Sequence, residues 1–100
     1  MKMYILVRES IPLGNAMVAV AHASLACYLR FHDHPDMSAW LAGRFYKVVC
    51  KVTDAEFERT KAIPDHVLIT ESALDDAEVA LALRPRPDWP KAMRFLRLYR

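Results

Sequence analysis

A chain of 100 residues has room for a single hydrophobic core, so we expect one domain over residues 1–100. Hydrophobic residues make up 54% of the sequence and charged residues 26%, a balance that excludes intrinsic disorder. The net charge is only +2, but residues 53–80 carry eight acids against two bases, whereas residues 84–100 carry six bases against one acid. A basic segment with so few acids is typical of a surface that binds a polyanion, and a solvated terminal helix is the alternative interpretation.

Cysteine usage and hydropathy indicate the compartment. Cys27 and Cys50 lie in apolar segments without CxxC spacing, which predicts buried free thiols in a reducing environment. No signal peptide or membrane-spanning pattern is found, so we expect a cytoplasmic protein. The sequence His32-Asp33-His34 contains residue types that bind metals, but it lacks further ligands at a suitable spacing. We interpret it as a surface loop and expect no metal site.

The first predicted elements are a buried strand and an uncharged helix. Residues 3–7 form a continuous apolar run, typical of a strand covered on both faces. The helix runs through residues 14–29, and His22 lies in its middle among small side chains. We expect the side facing the sheet to be an apolar stripe formed by Val18, Ala21, Leu25, Tyr28 and Leu29. His22 lies at the flank of this stripe, where the alanines allow either tight packing or a site.

The middle of the chain contains a second strand between two short helices. Asp36 is expected to cap the first of these helices, over residues 37–42. Residues 46–52 are apolar and β-branched, which predicts a core strand. Thr53 and Glu56 form a capping box that opens the next helix, and that helix must end before the following proline.

The last third of the sequence is harder to interpret. Residues 67–70 are expected to form a short strand, whereas residues 75–83 suit a helix by propensity and a central strand by their apolar run. Asp88 is expected to cap a final helix that buries Trp89, Ala92, Met93 and Leu96. The alternation of strands and helices predicts an α/β sandwich with a mostly parallel sheet.

The order and spacing of these segments resemble the type II peptidyl-tRNA hydrolase family over nearly the whole chain. The features that carry the resemblance are Arg8, Gly14, the AHAS stretch at residues 21–24, Tyr28, Leu29, Trp40, Gly43, the KVVCKV stretch at residues 47–52, residues 67–69 with Glu71, and residues 79–85. The resemblance implies a three-layer α/β/α sandwich with a four-stranded mixed sheet, whose last strand, residues 79–83, is antiparallel to the others. It also implies hydrolysis of the ester that joins a peptide to the terminal ribose of a tRNA, with no metal or organic cofactor.

The resemblance also implies site residues. His22 matches the family histidine, and Glu71 stands where the family has an aspartate, so the pair would act as general base and orienting carboxylate. Asn15 replaces a family lysine and would donate its amide to the developing oxyanion. The family glutamine aligns with Ala19, and the family threonine aligns near Asp75. Among these polar positions, only His22 is unchanged.

We expect the tRNA partner to be held through its phosphates. Lys47 and Lys51 lie on the second strand, and Lys91, Arg94 and Arg97 recur at three-residue spacing along the final helix. Aromatic and basic residues are not interleaved in a way suited to reading bases, so contact with RNA is expected to depend on shape and charge. Two alternatives remain open: a non-catalytic relative that binds RNA or another polyanion, and a homodimeric interaction module without affinity for tRNA.

Overall fold

The computed structural model describes residues 1–100. In chain order, its elements are β1 (Lys2–Arg8), α1 (Leu13–Phe31), α2 (Pro35–Ala42), β2 (Tyr46–Val52), α3 (Asp54–Thr60), β3 (His66–Glu71), a 3₁₀ turn (Ser72–Leu74), β4 (Ala77–Arg86) and a second 3₁₀ turn (Lys91–Phe95). The four strands form one sheet in the order β2-β1-β4-β3. β1 and β2 are parallel, whereas β4 is antiparallel to both of its neighbours. The expected mixed sheet with an antiparallel last strand is confirmed.

Most of the ambiguous segment, residues 77–83, lies in a central strand, and residues 75–76 form the turn before it. β4 forms backbone ladders with β1 on one side and β3 on the other, from Ala77 to Arg86. Its residues from Val79 to Leu83 are all buried, at 1% exposure or less. Two ladders and burial on both faces outweigh the helical propensity of alanine and leucine.

Helices cover both faces of the sheet. Side chains of β1 alternate between the two faces, as a strand requires: Met3, Ile5 and Val7 pack with α1 and α2, whereas Tyr4 and Leu6 pack with α3 and the second 3₁₀ turn. The expected three-layer α/β/α sandwich is therefore confirmed. None of the helices combines the length and hydropathy that a membrane span requires.

The side of α1 that packs on the sheet differs from the predicted one. Leu25 and Leu29, expected to face the sheet, are each 59% exposed, and Val18 is 47% exposed. The side chains in contact with the sheet are small and almost fully buried, namely Ala16, Ala19, Ala23 and Cys27. Small side chains let the helix lie close to the strands, and larger ones would hold it away. Of the predicted stripe only Tyr28 packs against this core, and the rest of the prediction is wrong because size, rather than hydropathy, decides which side of this helix is buried.

The cap of α2 also differs from the prediction. The Nδ1 atom of His34 accepts a hydrogen bond from the backbone N–H of Asp36 at 3.0 Å, so His34 is the capping residue. The Asp36 carboxylate instead binds Arg84 at 2.9 Å, and Arg84 also binds Asp65 at 2.9 Å. Arg84 is only 8% exposed, and a buried guanidinium requires such partners. Asp36 lies in the first turn of α2, but its carboxylate serves as a counter-charge for Arg84 rather than as the cap.

The capping box of α3 is confirmed. The backbone N–H of Glu56 donates to Thr53 Oγ1 at 3.2 Å, and the backbone N–H of Thr53 donates to Glu56 Oε1 at 2.9 Å. The helix ends at Thr60, before Pro64 as expected. This reciprocal pair satisfies two amides that the first turn would otherwise leave without partners.

The predicted final helix is wrong. Only residues 91–95 form a 3₁₀ turn, Asp88 makes no capping hydrogen bond, and Ala92 is exposed. The chain then extends along the outer edge of β2, where the Lys51 N–H donates to the Arg97 carbonyl at 3.0 Å and the Tyr99 N–H donates to the Val49 carbonyl at 2.8 Å. The edge of β2 has backbone N–H and C=O groups without partners. An extended segment can form hydrogen bonds with them, whereas a helix uses its own backbone groups internally.

Candidate functional site

The carboxyl ends of three strands meet the start of α1 at one edge of the sheet. β1 is parallel to β2, and because both β1 and β3 are antiparallel to β4, all three run in the same direction. α1 follows β1 after a short turn and returns over β4 and β3. Asn15, in the first turn of α1, and Glu71, at the end of β3, therefore lie at this edge. Ligands of open α/β sheets bind at such an edge.

His22 lies further along the same flank of α1. Seven residues separate it from Asn15, which is two helical turns, or about 10 Å along the axis. The His22 side chain is exposed and takes part in none of the side-chain hydrogen bonds or ion pairs of the structure. The expectation that small neighbours leave the imidazole accessible is consistent with this placement. Both ring nitrogens are available to a substrate or a water molecule.

Glu71 is half-buried at the start of a tight turn. Its carbonyl accepts a hydrogen bond from the Asp76 N–H at 2.9 Å, and Asp75 and Asp76 adopt left-handed backbone conformations with φ of 55° and 57°. The turn holds the end of β3 close to the start of β4. The Glu71 carboxylate forms no hydrogen bond or ion pair, so the structure does not join it directly to His22. The side chains lie on packed elements, α1 and β3, without contact between the charged groups.

The predicted phosphate ligands are divided between the two faces of the sheet. Lys51 and Arg97 lie together with Arg100 around a cavity of about 310 Å³ at the outer edge of β2. The Arg97 guanidinium also binds the Glu9 carboxylate at 2.7 Å, and both side chains of that pair are about half exposed. Among the side chains here, three cations accompany one carboxylate, so this edge is basic. An extended segment thus brings Arg97 next to Lys51.

Lys47 and Arg94 lie apart from this cluster. Lys47 is on the α1 side of β2, where its Nζ atom lies 4.6 Å from the centre of the Phe45 ring and 5.4 Å from that of Trp40. It is four residues before Lys51, which is about 13 Å along a strand. Arg94 lines cavities on the opposite face, beside Lys2 and the buried side chain of Met93. The predicted ladder of basic residues along one side of a helix is therefore wrong.

Sequence reasoning missed one residue of the basic edge, Tyr99. Lys51 Nζ lies 4.5 Å from the centre of the Tyr99 ring and donates to the main-chain oxygen of Arg100 at 3.0 Å. A signal existed, because Arg97 and Tyr99 alternate with Leu98 as side chains do in a strand. An assumed helix hid that pattern.

The two cysteines are free and buried, which confirms the prediction that they are unpaired. Burial raises the pKa of the Cys27 thiol to about 12 and that of the Cys50 thiol to about 11. Only the thiolate is an effective nucleophile or metal ligand, so neither side chain is suited to catalysis near neutral pH. His22 is the remaining candidate for chemistry on α1.

Comparison with known proteins identifies the family. No curated protein matches the chain. The family model described as Peptidyl-tRNA hydrolase PTH2 matches residues 1–89, which include all four strands, all three helices, Asn15, His22 and Glu71. The match confirms the resemblance seen in the sequence. Because this match covers most of the chain, the chain belongs to the peptidyl-tRNA hydrolase PTH2 family.

Proposed function

We propose that this protein hydrolyses the ester between a peptide and the terminal ribose of a tRNA, with His22 as general base. Membership of the family supports the reaction class and the tRNA partner. The observation that carries the assignment is the exposed imidazole of His22, which is engaged by no other side chain. An imidazole is the side chain most often used as a general base, and His22 is the only histidine on α1.

The proposed reaction needs no group outside the chain and its substrates. His22 takes a proton from a water molecule as the water oxygen bonds to the ester carbonyl carbon. The tetrahedral intermediate then collapses, the bond to the ribose oxygen breaks, and the imidazolium returns the proton to that oxygen. General-base assistance of this kind is worth typically 10²–10⁴-fold in rate, so the rate should depend strongly on one side chain.

Glu71 is proposed as a positioning residue for His22. Its carboxylate, on the strand end next to α1, would accept a hydrogen bond from the imidazole and stabilise the imidazolium. A Glu71→Gln variant should lower kcat with little change in KM and shift the pH profile of kcat. A Glu71→Asp variant should recover much of the rate, because it restores the charge. If Glu71→Gln changes neither kcat nor the pH profile, Glu71 has no such role.

Asn15 is proposed as the donor to the oxyanion. Its amide lies at the same sheet edge as Glu71 and is half-buried, and it makes no hydrogen bond within the protein. An uncharged donor stabilises the oxyanion less than an ammonium group at that position would. We therefore expect slow turnover from this enzyme.

The basic residues are proposed to bind the phosphates of the tRNA. Lys47, Lys51 and Arg97 lie on the α1 side or at the β2 edge, so they would contact the part of the tRNA closest to the ester. Arg94, on the opposite face, would contact a more distant part of the same molecule. Contacts of this kind make binding weaker as the salt concentration rises.

The test is hydrolysis of an N-acetylated aminoacyl-tRNA by the full chain. His22→Ala should lower kcat roughly 10²- to 10⁴-fold without unfolding the protein, since the side chain is exposed. His32→Ala is the matched control, because His32 is also exposed and lies just after α1. Equal rates for wild type and His22→Ala would contradict the proposal. Salt-dependent tRNA binding without turnover by wild type would instead support the non-catalytic alternative.

A further inference from the structure

Two adjoining cavities lie along the outer part of β2, at a distance from His22. The first is an open groove of about 420 Å³ between the first turns of α1 and β2, and it is lined only by apolar or aromatic side chains: Leu13, Ala16, Met17, Val20, Val49 and Tyr99. The second is the basic pocket of about 310 Å³ described above, formed by Lys51, Arg97, Leu98 and Arg100. The volume of the groove lies in the usual range for small-ligand sites, roughly 300–1,000 Å³.

Tyr99 joins the groove to the basic pocket. Its ring lines the groove and is half-buried, and Lys51 Nζ lies 4.5 Å from the ring centre. The hydrogen bond from its N–H to the Val49 carbonyl, at 2.8 Å, fixes the backbone at this point. An aromatic surface with a cation at its edge is therefore held in place by the sheet.

We propose that the groove and the basic pocket together bind one nucleotide of a single-stranded RNA. The base would lie in the groove against Tyr99 and Met17, and its phosphate would bind Lys51, Arg97 and Arg100. A base has a flat apolar face and carries its anionic phosphate nearby, which matches an apolar groove beside three cations. Proteins bind single strands by this combination of aromatic stacking and basic side chains. The inference rests on the proposed function in one respect, that the RNA is the unpaired end of the tRNA substrate.

The charges at the pocket allow a phosphate to bind. Arg97 already binds Glu9, but a guanidinium has five N–H donors, and Lys51 uses one of its three on the Arg100 main-chain oxygen. The Arg97–Glu9 pair is about half exposed, and exposed pairs contribute little, so an RNA phosphodiester, which carries one negative charge, can compete with the carboxylate. The pocket retains donors and a net positive charge.

The location of the groove is compatible with catalysis at His22. The groove lies on one flank of α1 and His22 on the other, and the two are separated by the outward side of the helix. Gly14 and Ala21 lie on that outward side, and Gly14 has open space where a side chain would stand. The strand has to cross about 10 Å, the width of a helix, which a few extended nucleotides can span. A nucleotide in the groove would hold the reacting end near His22 without touching it.

The first test is made on the wild-type protein, so that it does not depend on any variant folding. A synthetic four-nucleotide single-stranded RNA is titrated into the full chain, and NMR shift changes are mapped. We expect changes at Met17, Val49, Lys51 and Tyr99, whereas inorganic phosphate alone should move only the signals of the basic pocket. Changes confined to the α3 side of the sheet, or no saturable changes, would overturn the proposal.

The second test uses variants of the aromatic and basic groups. Tyr99→Ala should weaken binding of the tetranucleotide roughly 10- to 100-fold and Tyr99→Phe much less, because stacking needs the ring and not the hydroxyl. Phe95→Ala is the matched control, since Phe95 is an aromatic of the same segment, 82% exposed, outside the groove. Lys51→Gln should reduce the salt slope of binding by about 1, whereas Arg59→Gln, an exposed arginine on α3, should not. Equal losses in the control variants would overturn the proposal.

The hydrolysis assay separates this inference from the proposed function. If the groove binds substrate, Tyr99→Ala raises KM and leaves kcat nearly unchanged. If the protein hydrolyses the substrate and Tyr99→Ala leaves KM unchanged, the nucleotide site is overturned and the proposed function stands. Tetranucleotide binding that depends on Tyr99, together with no turnover by wild type, would support the site and contradict the hydrolase.

Discussion

The two sides of α1 invert the usual relation between side-chain size and burial. The buried side consists of small residues, with Ala23 and Cys27 at 0% exposure, whereas Val18, Leu25 and Leu29 on the outward side are 47–59% exposed. The strand beneath shows the same pattern, because β4 turns Ala80 and Ala82 toward α1 and its leucines toward α3. Alanine packed on alanine brings the helix close to the sheet. The outward side then carries the large side chains, and its flanks carry the groove and His22.

The difference between the buried and the outward side of α1 is tested most strongly by placing the same charge on each side. Ala23→Glu should destabilise the protein by more than about 3 kcal/mol, because it buries an unpaired carboxylate in a contact with no free space. Ala21→Glu, two residues earlier on the exposed side, should change the free energy of unfolding by less than about 0.5 kcal/mol. Urea unfolding of both variants measures the difference. Similar losses for the two variants would contradict the assignment of the sides.

The next largest effect is expected at the flank of α1 that carries the proposed catalytic residues. Asn15→Lys restores the residue that the family resemblance implies, so an ammonium group would face the developing oxyanion. Loss of one such donor commonly costs 10²–10³-fold in rate, and we expect the variant to gain about 10²-fold in kcat. Asn15→Asp is the control, because it keeps the size and places the opposite charge there. A rate that is equal for Asn15→Lys and wild type would show that Asn15 does not act on the oxyanion.

Much of the fold was predictable because its signals are local. The capping box of Thr53 and Glu56 and the β-branched run of β2 each act over a few residues, and both behave as expected. β4 is different, since its alanines and leucines favour a helix until two neighbouring strands pair with it. Only the family resemblance identified it as a strand. The alternation of alanine and leucine at residues 80–83 was the remaining local clue.

The site was less predictable because side-chain placement depends on the conformation of the last segment. In a helix, Arg94 and Arg97 would lie on one side, at three-residue spacing. In the observed structure the chain changes from a 3₁₀ turn to an extended segment between them, so Arg94 lies on the α3 face and Arg97 at the β2 edge. Tyr99 reaches the groove for the same reason. Pairing of the backbone with β2 determines this conformation, and the short alternation at residues 97–99 was its local signal.

A smaller effect is expected from alkaline pH, and it again originates on the buried side of α1. Burial raises the pKa of Cys27 from 9.0 to about 12, so the folded protein retains a proton that the unfolded chain releases above pH 9. Stability is therefore fully present below pH 9 and falls as pH rises toward 12, by about 1.4 kcal/mol per pH unit for this group. Cys27→Ala should remove that part of the slope, and Ser24→Ala should not. Urea unfolding at pH 8, 9, 10 and 11 measures it.

The smallest effect is expected from the outward side. Leu25→Gln should change the free energy of unfolding of the monomer by no more than about 0.5 kcal/mol, because Leu25 is 59% exposed and leaves no cavity when replaced. The homodimeric alternative makes the opposite prediction, since the uncharged part of the helix, residues 14–29 and roughly four turns long, would then be covered by a second copy. In that case the mass would rise with protein concentration, and Leu25→Gln would shift it toward the monomer. Sedimentation equilibrium on wild type and variant therefore decides between two states of the large outward side chains. They are exposed to solvent in a monomer, or they are covered by a second copy in a homodimer.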